Sequence, residues 1–234
     1  MPIYRLTRKI IFPPPELADP DGLLAVGGDL SPKRLLMAYR MGIFPWFSTG
    51  EPILWWSPDP RLVLEPAGIH ISKSLHKEIR QKKYEIRLDT AFPSVIEACA
   101  AAPRKIGDGT WITEEMKIAY IRLHELGFAH SIECWQGENL VGGLYGVSIG
   151  RIFCGESMFS RLPNTSKISL VALADVLKSK DFHLIDCQIP TSHLISLGAF
   201  ELKRAEFLKR LEKAVQYPSL TGKWSNWEWK FTFK

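Results

Sequence analysis

An α+β fold in two unequal domains is what the amino-acid sequence predicts. The prediction rests on helical and alternating apolar periods in separate stretches, on three strand-like runs joined by tight turns, and on a proline-rich break at Trp56-Ser57-Pro58-Asp59-Pro60. The break separates a small, aromatic-rich N-terminal domain, 1–62, from a larger domain, 63–234. With 234 residues, 46% of them apolar and 11% aromatic, the chain has enough nonpolar surface for a core of its own.

Capping and periodicity justify the elements in order. Ser31-Pro32 places an N-cap before a proline at the first helical position, and Gly42 closes the helix that carries Leu35, Leu36 and Tyr39. Ile53-Leu54-Trp55-Trp56 reads as a strand, and Leu62-Val63-Leu64 as the first strand after the break. Ser72 caps a helix with Leu75 and Ile79 on one face and Lys73, Lys77, Arg80 and Lys83 on the other. Next come a strand near 84–88, a helix over about 93–101, a loop through Gly107-Asp108-Gly109, and a helix capped by Thr113 and ended by Gly127. Phe128 to Trp135, Asn139 to Ser148 and Arg151 to Phe159 then alternate as a meander. Pro163-Asn164-Thr165 opens a helix through Leu177, and His183 to Gln188 is a further strand. Pro190 begins a short helix ending near Gly198, and a charged helix spans Arg204 to Val215. Trp227, Trp229, Phe231 and Phe233 alternate like an edge strand.

No apolar run reaches membrane-spanning length and the first twenty residues lack the apolar core of a secretory signal, so a soluble cytoplasmic protein is expected. Cys99, Cys134, Cys154 and Cys187 lie far apart, with no CxxC pair and no histidine at ligand spacing, which argues against a metal site and a disulfide framework. The net charge is +5, and its distribution matters more: Lys73, Lys77, Arg80, Lys82, Lys83 and Arg87 are opposed within their segment by Glu78 and Glu85 alone. Such a patch fits a phosphate backbone, and a solvated helix face has the same composition.

Chemistry concentrates in two strands. Asp186 lies inside an apolar run, where an unpaired charge is costly. By parity Asp186 and Gln188 point together while Ile185, Cys187 and Ile189 point the other way. The same parity puts Glu156 beside Cys154 and Met158, with Gly155 permitting close backbone approach. If these strands are neighbours, Glu156 and Asp186 make an acidic pocket beside apolar walls, suited to a cationic substrate group. Pairing of each carboxylate with an arginine such as Arg151 or Arg161 is the structural alternative. Trp46 and Trp111 fall in loops and could stack a nucleobase, whereas Trp55 and Trp56 read as packing residues. His124 and His130 read as structural, and His193 as a pocket residue without a chemical role.

The segments GLLAVGGDLSPKRLLMAYRMGIFPWFS, ILWWSPDPR, DGTWIT, RLHELGFAHSIECW, LVGGLYGVSIGRIFCGESMFSR and LIDCQ closely resemble leucyl/phenylalanyl-tRNA-protein transferases, co-linearly over nearly the whole chain. The resemblance implies a GNAT-like catalytic domain after the small N-terminal one, with no metal and no cofactor. It implies transfer of Leu, Phe or Met from aminoacyl-tRNA to the N-terminal amine of proteins beginning with Arg or Lys, marking them for degradation. It implies Asp186 and Gln188 as the catalytic pair, Glu156 and Asp186 as the acceptor site, and Trp46 and Trp111 against the terminal adenosine. Leu144, Phe153, Met158, Leu170, Leu173 and Ile185 would enclose the aminoacyl group; family members often carry Met and Phe at the positions of Leu144 and Leu173. With that donor, Lys73, Lys77, Arg80 and Lys83 form the expected tRNA-binding face, and a monomer is expected.

An aminoacyl ester is already activated, so placing the amine contributes more than strong base catalysis. Two other readings compete. An acyl-CoA-dependent enzyme of the same fold would need a glycine-rich pyrophosphate cradle, which the turn from Ser160 to Ser166 lacks. An RNA-binding protein without catalysis leaves the acid-amide pair of Asp186 and Gln188 unexplained.

Overall fold

Two hydrophobic clusters, one on each face of a seven-stranded sheet, organise the chain in this computed structural model, which describes residues 3–102 and 111–231. The architecture is α+β. The N-terminal part contributes a four-stranded sheet of β1 (Tyr4–Leu6), β2 (Leu23–Gly27), β3 (Phe44–Pro45) and β4 (Leu54–Trp56), in the order β1-β2-β4-β3. Between β2 and β3, α1 (Pro32–Arg40) starts on Pro32 and turns Leu35, Ala38 and Tyr39 inward. Trp55 is fully buried, and its indole donates to the Gly27 carbonyl at 2.8 Å. The proline-rich connector is fixed from the far end of the chain: the Arg204 guanidinium donates to Ser57 O at 2.6 Å, and the Arg204 amide to Asp59 Oδ1 at 3.0 Å.

The large sheet holds β5 (Arg61–Leu64), β6 (Glu85–Leu88), β7 (Ala129–Gln136), β8 (Asn139–Ile149), β9 (Ile152–Ser160), β10 (Leu184–Gln188) and β11 (Phe200–Leu202), ordered β11-β5-β10-β9-β8-β7-β6. β9 and β10 run parallel; every other neighbouring pair is antiparallel. On one face lie α2 (Lys73–Arg80), α5 (Thr165–Ser179) and buried Trp224. The other face carries α3 (Phe92–Ala100), α4 (Glu114–Glu125), α7 (Arg204–Val215) and the small N-terminal sheet.

Local chemistry sets the helix starts. Ser72 Oγ accepts from the Leu75 amide and Thr113 Oγ1 from the Met116 amide, each at 3.3 Å. α3 follows Ala91, which has no capping side chain, and borrows buried Glu133 instead: its carboxylate accepts the Thr90 and Ala91 amides at 2.9 and 2.8 Å.

The structure adds β1, β2, β3 and β11, strands absent from the sequence expectation, and departs from it in two further elements. The short helix α6 (Ser192–Ile195) starts after Pro190, because Thr191 Oγ1 accepts the Leu194 amide at 3.2 Å and so supplies the cap. The terminal aromatic run forms no strand among the described residues. Trp227 stacks on Trp224 with centroids 4.6 Å apart, and the Trp229 indole donates to Asp175 Oδ2 at 3.1 Å, so these rings pack onto the α5 side of the sheet rather than pairing an edge. Phe233 and the loop Gly107-Asp108-Gly109 lie outside the described residues. Among the described residues, no helix is long and apolar enough to cross a membrane.

Candidate active site

β9 and β10 pair from Ile152 and Leu184 to Cys154 and Asp186; beyond that, both strands continue without bonding each other. A cleft of about 480 Å³ opens where they part. Two bulges shape it. Gly155 pairs with Gly146 and Ser157 with Tyr145, leaving Glu156 as an extra residue in β9. Asp186 pairs with Val63 and Gln188 with Leu62, leaving Cys187 extra in β10, and Gln188 takes a left-handed φ of +64°. A Cβ at residue 146 would stand 2.2 Å from Cys154 O, so the strands approach there because Gly146 has none.

Each bulge resets the alternation of side chains. Glu156 and Cys154 face the N-terminal part, whereas Met158, expected beside them, crosses to the α5 face. Ile189, expected with Ile185 and Cys187, packs into the first cluster instead. Asp186 and Gln188 do lie on one side. The cleft's apolar wall is Leu144, Phe153, Met158, Leu170, Leu173 and Ile185; Trp46, 39% exposed, and half-buried Trp111 also line it, as do Glu156 and Gln188. Asp186, 1% exposed, sits beneath the lining rather than in it. Lys73, Lys77, Arg80 and Lys83 are exposed on and just after α2, outside the cleft.

The two carboxylates have opposite surroundings. Arg61, itself 1% exposed, holds Asp186 bidentately, Nε to Oδ1 and Nη2 to Oδ2, both at 2.7 Å. The guanidinium is clamped between the rings of Phe44 and Phe207, 4.7 Å from each centroid. Asp186 Oδ1 also accepts the Gln188 amide at 3.0 Å, which stabilises the left-handed turn. Asp186 thus has the arginine partner foreseen as the structural alternative, but the partner is Arg61 rather than Arg151 or Arg161.

Among the described residues, Glu156 pairs with no cation. Its Oε1 accepts from the Tyr39 hydroxyl and from Gln188 Nε2, each at 2.8 Å, and its Oε2 accepts from the Tyr120 hydroxyl at 3.0 Å. The two phenols also contact each other. Tyr39, Tyr120 and Glu156 therefore make a closed triangle of three contacts: with Glu156 ionised both phenols donate to it and the contact between them lacks a proton, whereas a protonated Glu156 donates to one phenol and frees that phenol's proton for the other. Burial pushes its carboxyl up to about 7, Asp186 adds to the rise, and the three donors oppose it. Burial and Glu156 also push both phenols well above their ordinary value.

Arg61, Tyr39 and Tyr120 escaped the sequence analysis. Arg61 left a signal of the same kind as Asp186, a charge at the start of the apolar run Arg61-Leu62-Val63-Leu64. The tyrosines left none, since their rings satisfy helical apolar periods. His193 lines the cleft, with its imidazole lowered by burial and by Lys167. Among the described residues, no group of three or more His, Cys, Asp or Glu could hold a metal.

The chain is similar to known proteins along most of its length. The family model described as leucyl/phenylalanyl-tRNA protein transferase matches residues 63–212, and that of its N-terminal domain matches residues 28–59. A leucyl/phenylalanyl-tRNA–protein transferase of Desulfatibacillum aliphaticivorans is 57% identical over 225 residues, covering 96% of this chain and 97% of its own. One from Azoarcus sp. (strain BH72) is also 57% identical, over 222 residues and 94% of each chain. Among solved structures, a conserved protein of unknown function from Staphylococcus epidermidis aligns over 77% of this chain and 68% of its own at 12% identity, with a TM-score of 0.42.

Proposed function

The chain belongs to the leucyl/phenylalanyl-tRNA–protein transferase family, and on that premise we propose how its cleft forms a peptide bond between Leu or Phe carried by aminoacyl-tRNA and the N-terminal amine of a protein beginning with Arg or Lys. The observation that carries the reading is the continuity of the cleft: an apolar wall, two accessible indoles, and a polar floor of Glu156 and Gln188 share one space. The donor side chain, with Met admitted as well, takes the wall of Leu144, Phe153, Met158, Leu170, Leu173 and Ile185. The terminal adenosine takes Trp46 and Trp111, and ionised Glu156 draws in the cationic acceptor.

The amine nitrogen attacks the ester carbonyl, the bond to the ribose oxygen breaks, and the amine proton passes to that leaving oxygen. An α-amine of pKa about 7.7–8.0 is partly neutral near pH 7, so orientation is the main demand. Gln188 Nε2 is committed to Glu156, which leaves its Oε1 to accept from the attacking amine. Asp186 acts through Gln188: Arg61 holds its carboxylate in place, and that carboxylate accepts the Gln188 amide. Lys73, Lys77, Arg80 and Lys83 contact the tRNA backbone. A boundary near residue 62, a cytoplasmic location and a monomeric state belong to the same proposal.

Against an acyl-CoA donor, Ser160 Oγ occupies the Ser166 amide at 2.9 Å, at the helix start where a pyrophosphate would sit. The test mixes the protein with labelled leucyl-tRNA and two peptides, one beginning with Arg and one with Ala, without ATP, CoA or metal. Label on the Arg peptide alone supports the reading; label on neither overturns it.

A further inference from the structure

A second groove, of about 690 Å³, lies where the end of α2, the start of β6 and α5 meet the C-terminal aromatic run, and it shares no lining residue with the cleft. Four exposed cations rim it: Arg80 at the end of α2, Lys82 and Lys83 in the turn that follows, and Lys230 near the C-terminus. No ion pair engages any of these four among the described residues. The acid beside them, Glu85, is already taken by Arg87 through a bidentate pair at 2.8 and 2.9 Å. Lys82 is held at φ +49°, a left-handed conformation that turns the chain sharply between helix and strand. The groove is also aromatic, lined by half-buried Tyr84, Trp229 and Phe231, with Trp229 and Phe231 6.1 Å apart and tilted by 35°.

We propose that this groove binds an unpaired nucleotide of the donor tRNA, with a base against Trp229 and flanking phosphates on Arg80, Lys82, Lys83 and Lys230. The inference rests on the tRNA-dependent reading of the cleft and extends it to residues 82, 229 and 231. Charge alone would suit an acidic peptide equally; flat rings beneath an unpaired cationic rim select a polyanion that carries flat bases. The placement is consistent with one ligand spanning both sites. Ile168 lines the groove while Leu170 and Leu173 line the cleft, so α5 separates the two by its own width.

The experiment measures binding of uncharged tRNA, by filter retention over a range of salt, to the full chain and to Trp229→Leu, Trp229→Phe and Lys82→Ala with Lys230→Ala. Loss of one stacked base weakens binding by roughly 5- to 100-fold in Trp229→Leu with the salt slope unchanged, and Trp229→Phe restores most of it. The lysine pair lowers the slope of log affinity against log salt by about 1.5 to 2. Wild-type affinity in Trp229→Leu, or failure of Trp229→Phe to restore it, overturns the proposal. So does an acidic peptide that competes for the protein as well as a single-stranded oligonucleotide of equal charge. Because the tRNA is uncharged, the result is independent of transfer: intact tRNA binding without peptide labelling would overturn the reading of the cleft and leave the groove standing.

Discussion

Asp186 and Glu156 lie buried on adjacent strands at one site, yet the first sits on an arginine and the second on two phenols and an amide. Burial opposes the charge of both. A guanidinium in bidentate contact offsets that cost for Asp186 and ties the carboxylate into the architecture. Neutral donors offset less, and Glu156 is left near 7, where a small change of pH or the arrival of a cation alters its charge. A polar floor can therefore divide two tasks: one carboxylate sets geometry, and the other supplies a charge that responds to the ligand.

Breaking the fixed half carries the largest effect. Arg61→Met strands the Asp186 carboxylate in the core and costs about 3–5 kcal/mol, read by urea denaturation. The double variant Arg61→Met with Asp186→Leu recovers most of that stability but not transfer. Wild-type transfer by the double variant would remove Asp186 from the mechanism altogether.

The responsive half is tested by pH. Glu156 stands at about 7 in the folded chain against an ordinary 4.5, so between those values the folded form keeps a proton that the unfolded chain has released. Stability therefore falls as pH rises through this window, by about 3 kcal/mol in all, and is level above it. Glu156→Gln abolishes the fall, so its stability relative to wild type improves by about 2–3 kcal/mol between pH 5 and pH 8. A constant gap across that range would mean that Glu156 does not titrate there. The same variant raises KM for an Arg peptide, because the cation loses its counter-charge.

The sequence disclosed Asp186, Gln188 and Glu156 because polar residues in apolar strands are conspicuous, and the caps at Ser72 and Thr113 because those signals are local. The partners stayed hidden. Arg61 lies 125 residues from Asp186, Tyr39 and Tyr120 lie 117 and 36 from Glu156, and nothing in a periodic pattern encodes such pairings. The bulges at Glu156 and Cys187 were equally illegible: each depends on how two strands match, and each moved a residue, Met158 and Ile189, to the face opposite its parity. The aromatic alternation after Trp224 misled for a related reason, since rings stacked on a sheet face repeat as an edge strand does.

A smaller effect sharpens the contrast within the Glu156 triangle. Tyr39→Phe removes a donor to Glu156 at a cost of about 1 kcal/mol. That donor favours the ionised carboxylate, so its loss moves Glu156 further upward, and the rising limb of transfer rate against pH shifts to higher pH. An unshifted limb would assign it to another group.

The smallest effect on stability tests the residue that joins the two carboxylates. Gln188 gives its backbone amide to Asp186 and its side-chain amide to Glu156, and reaches both by adopting φ +64°. For a residue with a side chain that conformation costs about 1–2 kcal/mol, and glycine adopts it freely. Gln188→Gly relieves this strain but gives up one hydrogen bond worth about 1 kcal/mol and adds roughly 0.5–1 kcal/mol of unfolded-state freedom. The terms cancel, so the denaturation midpoint stays near wild type while transfer is lost. Strain of this kind persists where the side chain it positions is used, whereas retained transfer with unchanged stability would show the amide to be a bystander and leave Glu156 to meet the acceptor alone.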